Sequence, residues 1–119
     1  MAWLGSLARD QGWPDRVRLG LQLCIDEALT NILTHATTHL GESPQIWLSC
    51  GSTLTGRALL IRDDAMPFDP TRLKPASLAT SLDEAEIGGH GLRLMHHYLS
   101  QFHYRRHEGC NELWLEMAL

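Results

Sequence analysis

From Arg16 to about His39 the chain repeats one pattern: Leu19, Leu23, Ile25, Ala28, Leu29, Ile32, Leu33 and Ala36 recur at helical spacing. In a chain of 119 residues, so long a helix must be one wall of the fold, with its apolar residues turned to a core. Yet "CIDEALTNILTHA" also carries Glu27, Asn31 and His35 at four-residue intervals, so all three fall along one stripe of that helix. Polar helix positions usually face water. An acid and an amide in register can also line a cleft, the amide oxygen as a hard ligand for Mg²⁺ and the acid as a proton acceptor.

The rest of the chain supplies what this helix can pack on. "WPD" restarts the chain after a short helix over Trp3 to Asp10 closed by Gly12, and "GESP" breaks the long helix. Gln45 to Ser52 alternates Ile46, Leu48 and Cys50 against Trp47 and Ser49, which is a strand pattern. "RALLIRDD", Arg57 to Asp64, is a second strand, more apolar and so more central. Ala65 to Gly89 is long for a loop in a small domain and holds three prolines and the acidic run "DEAE"; Leu78 to Glu86 could form a short helix within it. Gly91 to Gln101 reads as a helix, and "FHYRRHEGCNELWLEMAL" as a closing β-hairpin with Glu108, Gly109, Cys110 and Asn111 at its turn. The order α-α-β-β-loop-α-β-β predicts one α+β domain over residues 1–119, a two-layer sandwich with a mostly antiparallel or mixed sheet and helices gathered on one face.

Bulk properties narrow the function. A hydrophobic fraction of 44% fits a globular protein, and a net charge of −4 argues against broad attraction to nucleic acid or to an anionic membrane. No apolar run approaches the roughly 20 residues that span a bilayer, and the N-terminus lacks the pattern of a signal peptide. Cys24, Cys50 and Cys110 form no CxxC pair, which suits free thiols in a reducing, cytoplasmic setting. The seven histidines are scattered without ligand spacing.

Two further motifs join the helix stripe. In "IRDDAMPFDP" a strand ends in two acids, which is ordinary turn chemistry, or else places Asp63 on the floor of a pocket to accept from an adenine amine, with small Ala65 beside it. In "IGGHGLRLM" the glycines Gly88, Gly89 and Gly91 precede a helix whose free N–H groups could meet phosphate. The spacing matches neither a Walker loop nor a Rossmann turn.

Together and in this order, "DEALTNILTHA", "RDDAMPFDP" and "IGGHGLRLM" resemble the nucleotide-binding boxes of the GHKL (histidine kinase-like) ATPase superfamily, and within it the anti-sigma factor serine/threonine kinases. The C-terminal "YRRHEGCNELWLEM" resembles their closing hairpin, so the similarity runs from about Asp15 to Met117. The resemblance implies that Asn31 coordinates Mg²⁺, that Glu27 is the general base toward a protein hydroxyl, and that Asp63 holds the adenine of ATP with Ala65 at its edge. It also implies nucleotide contacts from Pro67, Phe68, Gly88, Gly89, His90, Gly91 and Leu92, under a lid of roughly residues 71–87, with Lys74 and Arg93 as possible phosphate contacts. The implied partners are an anti-sigma factor antagonist of the STAS type and a sigma factor or similar client; a homodimer is compatible with it. Two departures stand out. The family usually has Gly at the position of Ala65, and relatives often carry a strand before the first helix, so the sheet here could present an uncovered edge. These departures motivate an alternative, a degenerate module that acts by protein contact alone. A histidine-kinase reading, with His35 or His90 as phosphoacceptor, fits less well, because His35 lies on the pocket helix and His90 in the glycine turn.

Overall fold

The computed structural model describes residues 2–35, 43–72 and 89–119, without the side chains of Ala2, His35, Gly89, His90, Gly91, Leu92 and Leu94. Helix α1 spans Ala2–Asp10 and α2 spans Asp15–His35. Strands β1 (Ile46–Ser52) and β2 (Gly56–Asp63) follow, then a 3₁₀ turn at Pro70–Arg72, helix α3 (Gly89–Tyr98), and strands β3 (Gln101–His107) and β4 (Cys110–Ala118). The conjectured helix at Leu78–Glu86 lies outside the described residues.

The sheet has the order β1-β2-β4-β3, and every neighbouring pair is antiparallel. β2 is internal, as its apolar composition required. Alternation sends Leu48, Ile61, Leu113 and Tyr104 to the helix side in one cross-strand row, and Cys50, Leu59, Leu115 and Phe102 in the next. Those rows meet Leu4, Val17, Leu21, Ile25 and Met95 from the helices, and Trp13 from the link between α1 and α2, in a single core.

Local chemistry fixes the joints. Gly12, at φ 70°, ends α1 in a Schellman motif: its N–H donates to Arg9 O (3.2 Å) and that of Trp13 to Ala8 O (2.8 Å), which seats Trp13 in the core. Gly20 lets α2 come close to β4, since a Cβ there would stand 2.6 Å from Met117 Sδ.

Three expectations change. The hairpin turn holds only Glu108 and Gly109, both at positive φ (50° and 76°), a type I′ geometry that matches strand twist, so Cys110 and Asn111 already belong to β4. α3 begins at Gly89, so Gly89, His90 and Gly91 form its first turn rather than a loop before it. Finally, α2 carries apolar residues on more than one side. It buries Val17, Leu21, Cys24, Ile25, Ala28 and Ile32, while Leu19, Leu23 and Leu33 face outward.

Candidate functional site

One row of the sheet breaks the apolar pattern. At the end where β2 leaves the sheet, the helix-side row runs Ile46, Asp63, Asn111 and Arg106. Above it α2 brings Asn31. Asn31, Asp63 and Asn111 are all buried, with 6%, 3% and 3% of their surface exposed. Together with Ala28, Ile32, Phe68, Pro70 and Leu113 they line a narrow cleft. A largely apolar cleft with a few convergent polar groups is the usual form of a small-molecule site.

Asp63 and Asn111 are fixed by a dense set of bonds. Asp63 Oδ1 accepts from the Ala65 N–H (3.1 Å) and from Asn111 Nδ2 (2.9 Å), and among the described residues its other oxygen receives nothing. Asn111 Nδ2 also donates to Met66 O (2.9 Å) and, more weakly, to Ala65 O (3.4 Å). Asn111 Oδ1 accepts from the Phe68 N–H (3.2 Å) and the Tyr104 hydroxyl (2.5 Å). Burial pushes the Tyr104 hydroxyl above its ordinary range, against the pull of nearby Arg106, so it remains a donor. Arg106 Nη1 donates to Ala65 O (2.7 Å) and holds the same loop from β3. The loop after β2 is therefore tied at Ala65, Met66 and Phe68, and the free oxygen of Asp63 is the acceptor it leaves.

Asn31 is the opposite case. Its Nδ2 is buried without a hydrogen-bond partner among the described residues. An unpaired buried amide costs about 1–3 kcal/mol, and such a cost is retained where a ligand satisfies the group. A half-turn of the amide exchanges its oxygen and nitrogen, so the same atom position suits a cation or an acceptor. Glu27, one turn earlier, is partly exposed and is not part of the cleft lining, which leaves its carboxylate open to a second molecule.

The remaining sequence candidates sort as follows. Phe68 lines the cleft; Pro67 is exposed outside it; Ala65 is 1% exposed, its N–H and C=O both engaged, and it is not part of the lining. Asp69 accepts from the N–H (2.9 Å) and hydroxyl of Thr71, so in "PFDP" it caps the 3₁₀ turn that puts buried Pro70 against the cleft. Gly88, Lys74 and nearly all of the lid fall outside the described residues, as does the His35 side chain. Of Gly89, His90, Gly91 and Leu92 the backbone alone is described, as the first turn of α3. Arg93 is partly exposed on α3. Sequence reading missed Asn111, Tyr104 and Arg106. The available signal was phase: Asn111 keeps step with Leu113, Leu115 and Met117, so a polar residue stands where an apolar one packs.

Comparison with known proteins agrees with this geometry. Residues 1–117 match the family model of the histidine kinase-like ATPase domain. The chain is 43% identical over 113 residues to the serine/threonine-protein kinase BtrW of Bordetella bronchiseptica, covering 95% of this chain and 79% of BtrW. It also superposes on the blue-light activated histidine kinase EL346 of Erythrobacter litoralis with a TM-score of 0.62 at 18% identity, over 89% of this chain and 31% of that one, a likeness of fold. The orphan amide, the anchored acid and the helix entrance thus stand on a known scaffold, and the chain belongs to the histidine kinase-like ATPase domain family.

Proposed function

We infer that the cleft binds Mg·ATP and that the protein is a serine/threonine kinase of the partner-switching kind. It would phosphorylate a small STAS-type antagonist protein and sequester a sigma factor or similar client when that antagonist is absent, in the cytoplasm. The observation that carries this reading is the unpartnered amide of Asn31, buried opposite the free oxygen of Asp63. Identity to a protein named as a serine/threonine kinase supports the same class.

Each residue has a distinct task. Asp63 accepts from the exocyclic amine of the base, while Ile32, Phe68 and Leu113 enclose its faces. An acceptor at that place favours an amino purine over an oxo purine, because an oxygen lone pair facing the carboxylate would leave both unpaired. Asn31 would hold Mg²⁺, which when bound supplies charge neutralisation between phosphate oxygens. The first turn of α3 offers free N–H groups to the phosphate end. Glu27 sits one helical turn from Asn31 on the solvent side, positioned to take the proton of an incoming Ser or Thr hydroxyl. Phosphoryl transfer asks a protein chiefly for such positioning and charge placement.

The test is transfer of labelled phosphate from ATP to a STAS-type antagonist, wild type against Glu27→Ala. The reading expects the variant to bind nucleotide normally and to lose at least about a hundredfold in transfer, the usual scale of a general base. Equal transfer by both proteins would remove Glu27 from this role. The second reading, a non-catalytic module, is favoured by the place of Glu27 outside the cleft lining. Calorimetric titration with Mg·ATP separates the two further: binding in the micromolar range supports the kinase, and none at millimolar nucleotide supports the module.

A further inference from the structure

We propose that Arg106 is a positioning residue for the base end of the cleft: from β3 it pins the loop that carries Asp63 and Phe68, and nucleotide affinity depends on that pin. The inference rests on the nucleotide reading above and adds to it a residue outside the cleft lining.

The loop after β2 needs an anchor. Asp63 is the last residue of β2, and the chain passes through Asp64, Ala65, Met66 and Pro67 before Phe68 and Pro70 return to line the cleft. Met66 and Pro67 are exposed, so burial does not hold the crest of this loop. Its hold is polar and comes from across the sheet. The order β1-β2-β4-β3 sets β4 between β2 and β3, and alternation on β3 turns Tyr104 and Arg106 to the face of Asp63 and Asn111. Tyr104 acts through the Asn111 amide oxygen. Arg106 reaches the loop directly, Nη1 donating to Ala65 O at 2.7 Å.

That bond is not an ordinary surface contact. Arg106 is exposed, and fixing a long exposed side chain costs rotamer entropy. Its neighbour Arg105, on the opposite face, pairs with Glu112 (2.6 Å). Among the described residues Arg106 forms no ion pair, and its charge goes instead to a neutral carbonyl of the site loop. The one other donor to that carbonyl, Asn111 Nδ2, stands at 3.4 Å, a weak contact. Ala65 is the link between strand and site. Its C=O accepts from Arg106 and its N–H donates to Asp63 Oδ1 (3.1 Å), so Arg106 fixes which way the Asp63 carboxylate faces without touching the base. A charge-assisted bond is strong enough for this.

Affinity follows from that order. A site already held in its binding form avoids the cost of ordering at the moment of binding. If loss of the bond leaves the loop in place in about one molecule in ten, apparent affinity falls about tenfold. The rival role for a cation near a nucleotide is a phosphate contact. The two differ in what they sense: a pin on Ala65 acts on the base, and a phosphate contact acts only on the triphosphate.

The experiment therefore titrates Mg·ATP and adenosine into the whole chain, followed by NMR chemical shift. Arg106→Gln should weaken both ligands by the same factor, at least about tenfold, with little change in the midpoint of chemical denaturation, because the side chain is exposed. Arg106→Lys keeps a charged donor and should recover part of the loss. Arg105→Gln, one residue away on the other face, should bind both ligands as wild type does. In Arg106→Gln the Ala65 amide should also exchange faster with deuterium. Wild-type affinity in Arg106→Gln, a loss for Mg·ATP that spares adenosine, or an equal loss in Arg105→Gln would each overturn the inference and leave the nucleotide reading standing. Wild-type protein that binds neither ligand would overturn that reading, and this inference with it.

Discussion

Two ends of one sheet do different work. Toward Met117 the rows facing the helices are apolar, closed by Leu21, Ile25 and Met95, and packed so tightly that Gly20 has no room for a methyl. Toward Asn111 the same strands carry Asp63, Asn111 and Arg106 beneath the Asn31 amide nitrogen, which has no hydrogen-bond partner among the described residues. Alternation in β2 and β4 is unbroken along both ends, so the backbone is the same and the chemistry of single in-phase positions separates them. The difference teaches that apolar packing is concentrated at one end and buried polar groups at the other, so substitutions can move stability and the proposed binding apart.

The largest effect is expected in the apolar end. Leu115→Ala should lower stability by about 2–5 kcal/mol in chemical denaturation, as fully buried leucines do, while the folded fraction keeps its nucleotide affinity. Next comes the polar end. Asn111→Ala removes an acceptor shared by the Phe68 N–H and the Tyr104 hydroxyl, and one bond to Asp63, a loss of about 1–3 kcal/mol. Unlike the leucine change, it should also abolish ATP binding by calorimetry, because the loop that aims Asp63 comes loose. Retained affinity would dissolve the distinction between the ends. The smallest effect is a pH slope. Burial pushes the Cys24 thiol from 9.0 up to about 12. In the unfolded chain it ionises near its ordinary value, so between pH 9 and 12 unfolding releases a proton and stability falls as pH rises. Cys24→Ala should flatten that slope in denaturation curves taken across the interval and leave stability below it free of this pH dependence.

Much of the apolar end was legible in the residues. Period-two alternation gave β1 and β2, the turn residues Glu108 to Asn111 gave the hairpin if not its exact length, and Gly12 gave the end of α1. The buried side of α2 was not legible, since leucines at 19, 23 and 33 look no different from Leu21 until the sheet chooses a side. The binding end was half legible. Glu27, Asn31 and Asp63 stood out as polar residues at helical spacing or at a strand's tip. Asn111 was hidden by the assumption of a four-residue turn: a two-residue turn shifts it from the loop onto the core face.

No helix among the described residues is long and apolar enough to cross a membrane. The most direct probe is thermal unfolding of Asn31→Leu, with and without saturating Mg·ATP. Replacing an unpaired buried amide by an apolar group of similar shape should leave the ligand-free protein as stable as wild type or more so, by up to about 1 kcal/mol, while erasing the rise in melting temperature that Mg·ATP gives the wild type. A variant that is less stable without ligand, yet gains as much from Mg·ATP as wild type does, would contradict the assignment of Asn31 to the ligand and with it the account of the cleft.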